Sequence, residues 1–214
     1  MPKFYPGILS KIPDIFFKQN LIDIVPWGIS LDGFTITQPT NWEVSPNGHG
    51  LYLYANAAAL QNTQGGIYSK LIFGPILQAS KQTSVEWYII NKAGTDTHEF
   101  YLFFSNAQEL TPGATSHLFG FKVLNNAIYG INNNGTAVTA TNLSATIAAG
   151  DRLRVEVNQG VNVKFYVNDV LKATVTTTLP GAGQYYSAVS LKDTQATPTG
   201  LYFVVGRALI LRQN

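Results

Sequence analysis

The chain has 214 residues, enough to bury a full core as one β-sandwich or barrel, and this length favours one domain over two. Only 12% of the residues are charged and the formal net charge is +2, which leaves no electrostatic footprint for nucleic acid or an anionic membrane surface. With no cysteine there is no disulfide framework, no thiolate nucleophile and no cysteine-based metal site.

Residues 1–28 differ from the rest and read as an N-terminal arm ahead of a folded domain at 29–214. Pro2, Pro6, Pro13 and Pro26 punctuate a segment too apolar for a solvated tail, with Ile15, Phe16, Phe17, Leu21 and Ile22 at its centre. Asp14 after Pro13 is a helix-start signal that places Phe17, Leu21 and Val25 on one stripe. These side chains need a surface to bury against. Either they form an edge strand or cover on this domain's own sandwich, or they dock on a neighbouring subunit. Lys11, Pro13 and Asp14 interrupt any signal-peptide core, and no stretch is long enough to span a membrane. The expectation is synthesis in the cytoplasm without classical secretion, with any outside location reached by another route, such as release within a particle.

From there on the chain reads as short strands separated by turns. They are expected at Phe34–Thr37, Leu51–Ala55, Ile67–Phe73, Val85–Asn91, Phe100–Ser105, Phe119–Leu124, Ile128–Ile131 and Ala137–Thr141. Asn125-Asn126 and Asn132-Asn133-Asn134-Gly135 mark turns, since Asn and Gly tolerate the left-handed backbone region. The clearest pattern is a three-stranded meander over Leu153–Thr177. Leu153, Val155 and Val157 alternate with charged residues, and Val161, Val163, Phe165 and Val167 alternate with polar ones. Asn158-Gln159-Gly160 supplies the odd-length connection, with Gly160 where φ must be positive. The second turn, at Asn168-Asp169, has either two residues or three including Val170. Strands at Ala188–Leu191 and Leu201–Leu211 close the chain. No helical period extends over ten residues after residue 30, so the fold class is an all-β antiparallel sandwich.

The order of GFKVLNNAIYGINNNGTAVTATNL, then DRLRVEVNQGVNVKFYVNDVLKATV, then GLYFVVGRALILRQN resembles the concanavalin A-like lectin/glucanase jelly roll, including laminin-G-like domains. The resemblance covers about Phe119 to Leu211. It implies a jelly roll whose first and last strands share a sheet, here Phe34–Thr37 with Leu201–Leu211. The superfamily includes glycosidases, lectins, adhesion modules and virion proteins, so the fold does not choose among them.

Glucanases of this fold carry a Glu-x-Asp-x-x-Glu run on one strand, and a retaining mechanism needs two carboxyl groups about 5 Å apart. No two of the twelve acids here stand at i, i+2, so no catalytic residue is assigned. Thr95-Asp96-Thr97-His98-Glu99 is the one dense polar group. A metal held by Asp96, His98 and Glu99 is weighed there against a solvated turn, and the turn is preferred because a metal needs three or four ligands in defined geometry. His49 and His117 are isolated, so neither metal nor cofactor is expected. Tyr52, Tyr54, Trp87 and Tyr101 are the candidates for stacking on the C–H faces of a sugar, against core packing as the bland alternative. Asn134-Gly135-Thr136 and Asn142-Leu143-Ser144 match the N-glycosylation pattern.

Two functions follow from different classes. One is a non-enzymatic structural protein of a virus or phage particle, a capsid decoration, fibre or tail component located in the virion. It docks on other virion proteins or on itself as a homo-oligomer through Ile15, Phe16, Phe17, Leu21 and Ile22. The other is an extracellular carbohydrate-binding module or lectin, or as a lesser alternative a glycoside hydrolase acting on polysaccharide, with a surface glycan as partner.

Overall fold

The computed structural model describes residues 19–24, 33–46, 50–70, 76–79 and 81–213. They form seventeen strands: β1 (Gln19–Ile24), β2 (Phe34–Thr37), β3 (Trp42–Pro46), β4 (Leu51–Ala55), β5 (Gln64–Ser69), β6 (Ile76–Leu77), β7 (Gln82–Ala93), β8 (His98–Ser105) and β9 (His117–Leu124) in the first half. The second half adds β10 (Ala127–Asn134), β11 (Thr139–Thr146), β12 (Arg152–Asn158), β13 (Asn162–Val167), β14 (Val170–Val175), β15 (Gly183–Gln184), β16 (Tyr186–Asp193) and β17 (Leu201–Gln213). Among the described residues there is no helix.

Two antiparallel sheets face each other. The eight-stranded sheet runs β14-β13-β12-β7-β17-β4-β3, with β1 also paired to β17; the seven-stranded sheet runs β11-β10-β9-β8-β16-β5-β2. A short β6–β15 ladder stands apart.

The meander forms for the reasons its sequence gives. Leu153, Val155 and Val157 are buried and pair with Val167, Phe165 and Val163 across β12 and β13. Asn168 and Asp169 both have positive φ, 51° and 64°, and Val167 pairs with Val170, so the second turn has two residues of the type that matches strand twist. Gly160 has φ 76°, as its turn requires. Val161 is a correction. It belongs to that turn and is 53% exposed, because β13 begins one residue later, at Asn162.

The strand beside the end of the chain is also corrected. Phe34–Thr37 pairs with β5 in the seven-stranded sheet, whereas residues 19–24 pair with β17, as in Leu21↔Leu211 and Ile22↔Ile210. Leu21 and Ile22 therefore occupy register positions in the sandwich's own sheet; Ile15, Phe16 and Phe17 lie outside the described residues. Strand β3 went unread because Trp42 to Pro46 is short and ends in proline, which an edge strand tolerates. The expected strand at Ile67–Phe73 is β5, Gln64–Ser69, and the strand expected at Ala137–Thr141 is the longer β11.

Between the sheets lies a layer of rings. Phe100 of β8 stacks on Phe203 of β17 with centroids 4.2 Å apart, Trp87 packs edge-on against Phe121, and Phe121 meets Phe165 at 5.7 Å. Gly130 on β10 faces Phe165 so closely that a Cβ would lie 2.5 Å from its ring. Phe165→Ala should therefore cost about 3–5 kcal/mol in urea unfolding, by the cavity it leaves. A loss below about 1 kcal/mol would place that ring outside the core.

Candidate functional site

The four rings singled out from sequence separate in space. Tyr52 and Tyr54 lie on the outer face of the eight-stranded sheet, opposite to the inward Leu51, Leu53 and Ala55. Tyr101 lies on the outer face of the seven-stranded sheet and is 4% exposed. Trp87 is a correction: it is fully buried between the sheets against Phe104 and Phe121, where no sugar can reach it. Alternation puts Tyr88, not Trp87, outside.

The outer face of the seven-stranded sheet is built on β8, at its centre. Glu99, Tyr101, Phe103 and Ser105 point outward from it, while Phe100, Leu102 and Phe104 point into the core. Register continues the Tyr101 rung across four neighbours, as Ser190, Tyr101, Lys122, Tyr129 and Asn142. One end of this face is covered. The Leu110 carbonyl accepts hydrogen bonds from Ser190 Oγ (2.6 Å) and Gln64 Nε2 (2.9 Å), which pins the 106–116 loop across the sheet. Asn133, itself buried, holds the same loop by donating to the carbonyls of Gly113 (3.0 Å) and Ala114 (2.8 Å). Beneath that cover Phe103, Leu118, Ile131 and Ala188 form a second small core with Tyr101.

The other end is open. Between Ala127↔Thr146 and Tyr129↔Asn142 the ladder advances two residues on β10 and four on β11, so β11 bulges. Ser144 takes φ 51° in the bulge and its N–H donates to Asn142 Oδ1 at 2.8 Å. The result is a shallow depression of about 360 Å³ lined by Ala127, Asn142, Ser144, Ala145 and Thr146. Half-buried Tyr129 and Lys122 follow it along the rung. Two methyl groups and three hydroxyl or amide side chains at a sheet surface suit a ligand with small apolar faces and many hydroxyls. Sequence reading had no signal for this depression, because a bulge is a mismatch of register between two strands.

Glu99 is the one outward acid on β8. It accepts hydrogen bonds from Tyr101 Oη (2.6 Å) and Lys122 Nζ (3.0 Å). Burial pushes its carboxyl up, but those bonds and the charges of Lys122 and Lys192 outweigh it and hold Glu99 below the usual carboxylate range. The next acid along this face, Glu109, is bound by Ser105 Oγ (2.5 Å) and Ser116 Oγ (3.1 Å). Tyr101 and Ser105, which hold the two carboxylates, are four residues apart on an extended strand, about 13 Å.

The Thr95–Glu99 group is solvated only in part, at exposed Thr95 and Thr97, and its acids and histidine do not converge. Asp96 and His98 are buried, whereas Glu99 points to the outer face. Burial keeps His98 neutral, its Nδ1 donating to the Asp96 carbonyl at 2.7 Å. His117 opens β9 and accepts the Gly181 N–H at 3.1 Å; His49 lies outside the described residues. Among the described residues no three His, Asp or Glu side chains cluster closely enough to hold a metal ion. Asp96 instead meets Asp193, which is fully buried. Asp96 accepts from Thr199 Oγ1, from Thr199 N–H (2.7 Å) and from Gly200 N–H (3.1 Å). Burial pushes Asp96 up, yet these donors and Asp193 bring it below its ordinary value. Burial, reinforced by Asp96, raises Asp193. Asp193 meets Asp96 where β16 packs against the β7–β8 connection, while its Oδ1 accepts the Gln195 N–H at 2.8 Å.

No family model and no curated protein sequence matches the chain. Solved structures do. A Bacillus licheniformis β-glucanase superposes with a TM-score of 0.58 at 14% identity, covering 90% of this chain and 98% of that one. The carbohydrate recognition domain of Emp46p, in its potassium-bound form, gives 0.58 at 10% identity over 88% and 95%. The Crh5 transglycosylase in complex with NAG gives 0.61 at 10% identity over 92% and 85%. The chain thus has the concanavalin A-like jelly-roll fold of lectins and glucanases, and at these identities the likeness is one of fold.

The buried acid pair gives a stability profile with two sides. Asp193, raised when folded, contributes stability that is lost as pH rises through its folded value; Asp96, lowered, loses its contribution as pH falls. Asp193→Asn keeps a donor toward Asp96 and removes the first loss. Its Tm should fall less than that of the parent as pH rises above the ordinary carboxylate range. Identical profiles for the two proteins would show that folding does not raise Asp193.

Proposed function

We propose that this protein is a non-enzymatic carbohydrate-binding module that takes a neutral glycan in the depression at β10 and β11 and along Tyr129. The observation that carries the reading is that depression, about 360 Å³ and lined by Asn142, Ser144 and Thr146, at the open end of a sheet face whose other end is covered by the 106–116 loop. Its volume is at the low end of the range for ligand pockets, the size of one or two sugar rings. The fold neighbours include proteins described as a β-glucanase and as a carbohydrate recognition domain, which supports the same ligand class. Binding rather than hydrolysis is favoured by Glu99. A general acid needs a raised pKa, and Tyr101 and Lys122 hold this carboxyl in the opposite direction.

Calorimetry of the full chain against soluble cello-, laminari-, manno- and xylo-oligosaccharides should find a ligand, and Tyr129→Ala or Thr146→Trp should weaken it at least tenfold with Tm unchanged. Reducing-end assays on the matching polysaccharides should detect no turnover. Turnover abolished by Glu99→Gln would make the protein a hydrolase and overturn the reading.

The virion reading, with docking on other virion proteins or on a second copy, rests on the low charge and on the apolar residues between Ile8 and Trp27. Removing residues 1–18 leaves β1 in place. If assembly is lost while Tm is kept, the docking role stands; unchanged assembly removes it.

A further inference from the structure

We propose that Tyr52, Tyr54 and Tyr202 form a second saccharide-binding platform, on the sandwich face opposite to the β10–β11 depression, so that one molecule bridges two glycan chains. The register places Glu43, Tyr54 and Tyr202 on one rung of β3, β4 and β17, and Ser45, Tyr52 and Val204 on the next. Tyr52 stacks on Tyr54 with centroids 5.9 Å apart and planes 26° apart, and meets Tyr202 at 5.7 Å. All three rings are half-buried rather than enclosed. The inner faces of the same strands are already filled by Leu51, Leu53, Leu201 and Phe203, so the core does not need the tyrosines.

The rim identifies the ligand class. Tyr202 Oη accepts a hydrogen bond from Asn91 Nδ2 at 3.2 Å, and Glu43 accepts one from Ser45 Oγ at 2.8 Å, leaving carboxylate and amide groups at the edges of the rings. Among the described residues the hydroxyls of Tyr52 and Tyr54 make no hydrogen bond. Contiguous rings with free hydroxyls and a polar rim suit a pyranose, whose C–H face stacks while its hydroxyls find partners. A protein partner would call for a desolvated apolar pocket, and exposed Glu43 and Asn91 border this face instead. Burial, then the charge of Glu43, pushes Tyr52 above its ordinary value, so it stays a donor. The two sheets and their side chains separate this platform from the β10–β11 depression, so no single sugar unit reaches both.

This inference goes beyond the glycan-binding reading, and its test separates the two. Calorimetry of the full chain with the same oligosaccharide panel should give two sites per chain. Tyr54→Ala/Tyr202→Ala should lose one site and Thr146→Trp the other, and only the parent should precipitate a soluble polysaccharide of the same linkage. Glu43→Ala/Asn91→Ala, at exposed positions, should weaken the platform at least fivefold and guards against a folding defect in the tyrosine variant. One site, lost only in Thr146→Trp, would overturn the platform and leave the first reading standing. One site lost only in the tyrosine variant would do the reverse, and no binding by the parent would remove both.

Discussion

The gap between the two sheets has to be filled, and here rings fill it. Stacked sheets lie about 10 Å apart, and the central strands bridge that distance with Trp87, Phe100, Phe104, Phe121, Phe165 and Phe203, all fully buried. This layer decides which side chains are left for function. Each strand that contributes a ring inward must turn its neighbours outward, so Tyr101 follows from Phe100, Tyr202 from Phe203 and Tyr88 from Trp87. The Trp87 indole N–H, buried without a partner, is the price of using so large a ring as filler.

Sequence made this legible where alternation was clean and turns were short. The meander at β12 to β14 could be read because Arg, Lys and Glu mark one face and Val and Phe the other, and because two left-handed residues at Asn168-Asp169 close a hairpin by themselves. Strand β11 was clipped because Thr139–Thr146 is an edge strand with little apolar surface, only Leu143 reaching the core. The partner of the last strand could not be read. Pairing between residues 19–24 and β17 closes a loop of nearly the whole chain, and local pattern carries no information at that separation.

The candidate sites were less legible for the same reason. Tyr52 and Tyr54 share a face by period two alone, but Tyr202 joins them only through the β4–β17 register. Tyr101 resembles them in sequence and lies on the other side of the molecule, under the 106–116 loop. Asp96 and Asp193 give no sign in sequence that they meet, being far apart in the chain and joined by the packing of two strand ends.

The central strand of the seven-stranded sheet shows how outward positions on one strand are constrained by their neighbours. Outward positions on such a strand all point into the same space, so paired acids there would act on one bond. On β8 those positions carry Glu99, Tyr101, Phe103 and Ser105, a single acid followed by two rings and a hydroxyl. The rings need cover, and the 106–116 loop provides it, pinned by Ser190, Gln64 and Asn133. The acid needs partners, and Tyr101 and Lys122 provide them. Both contacts fix side chains in the middle of the sheet and leave the open surface at its edge. There the bulge at Ser144 leaves a shallow depression bordered by Asn142 and Thr146.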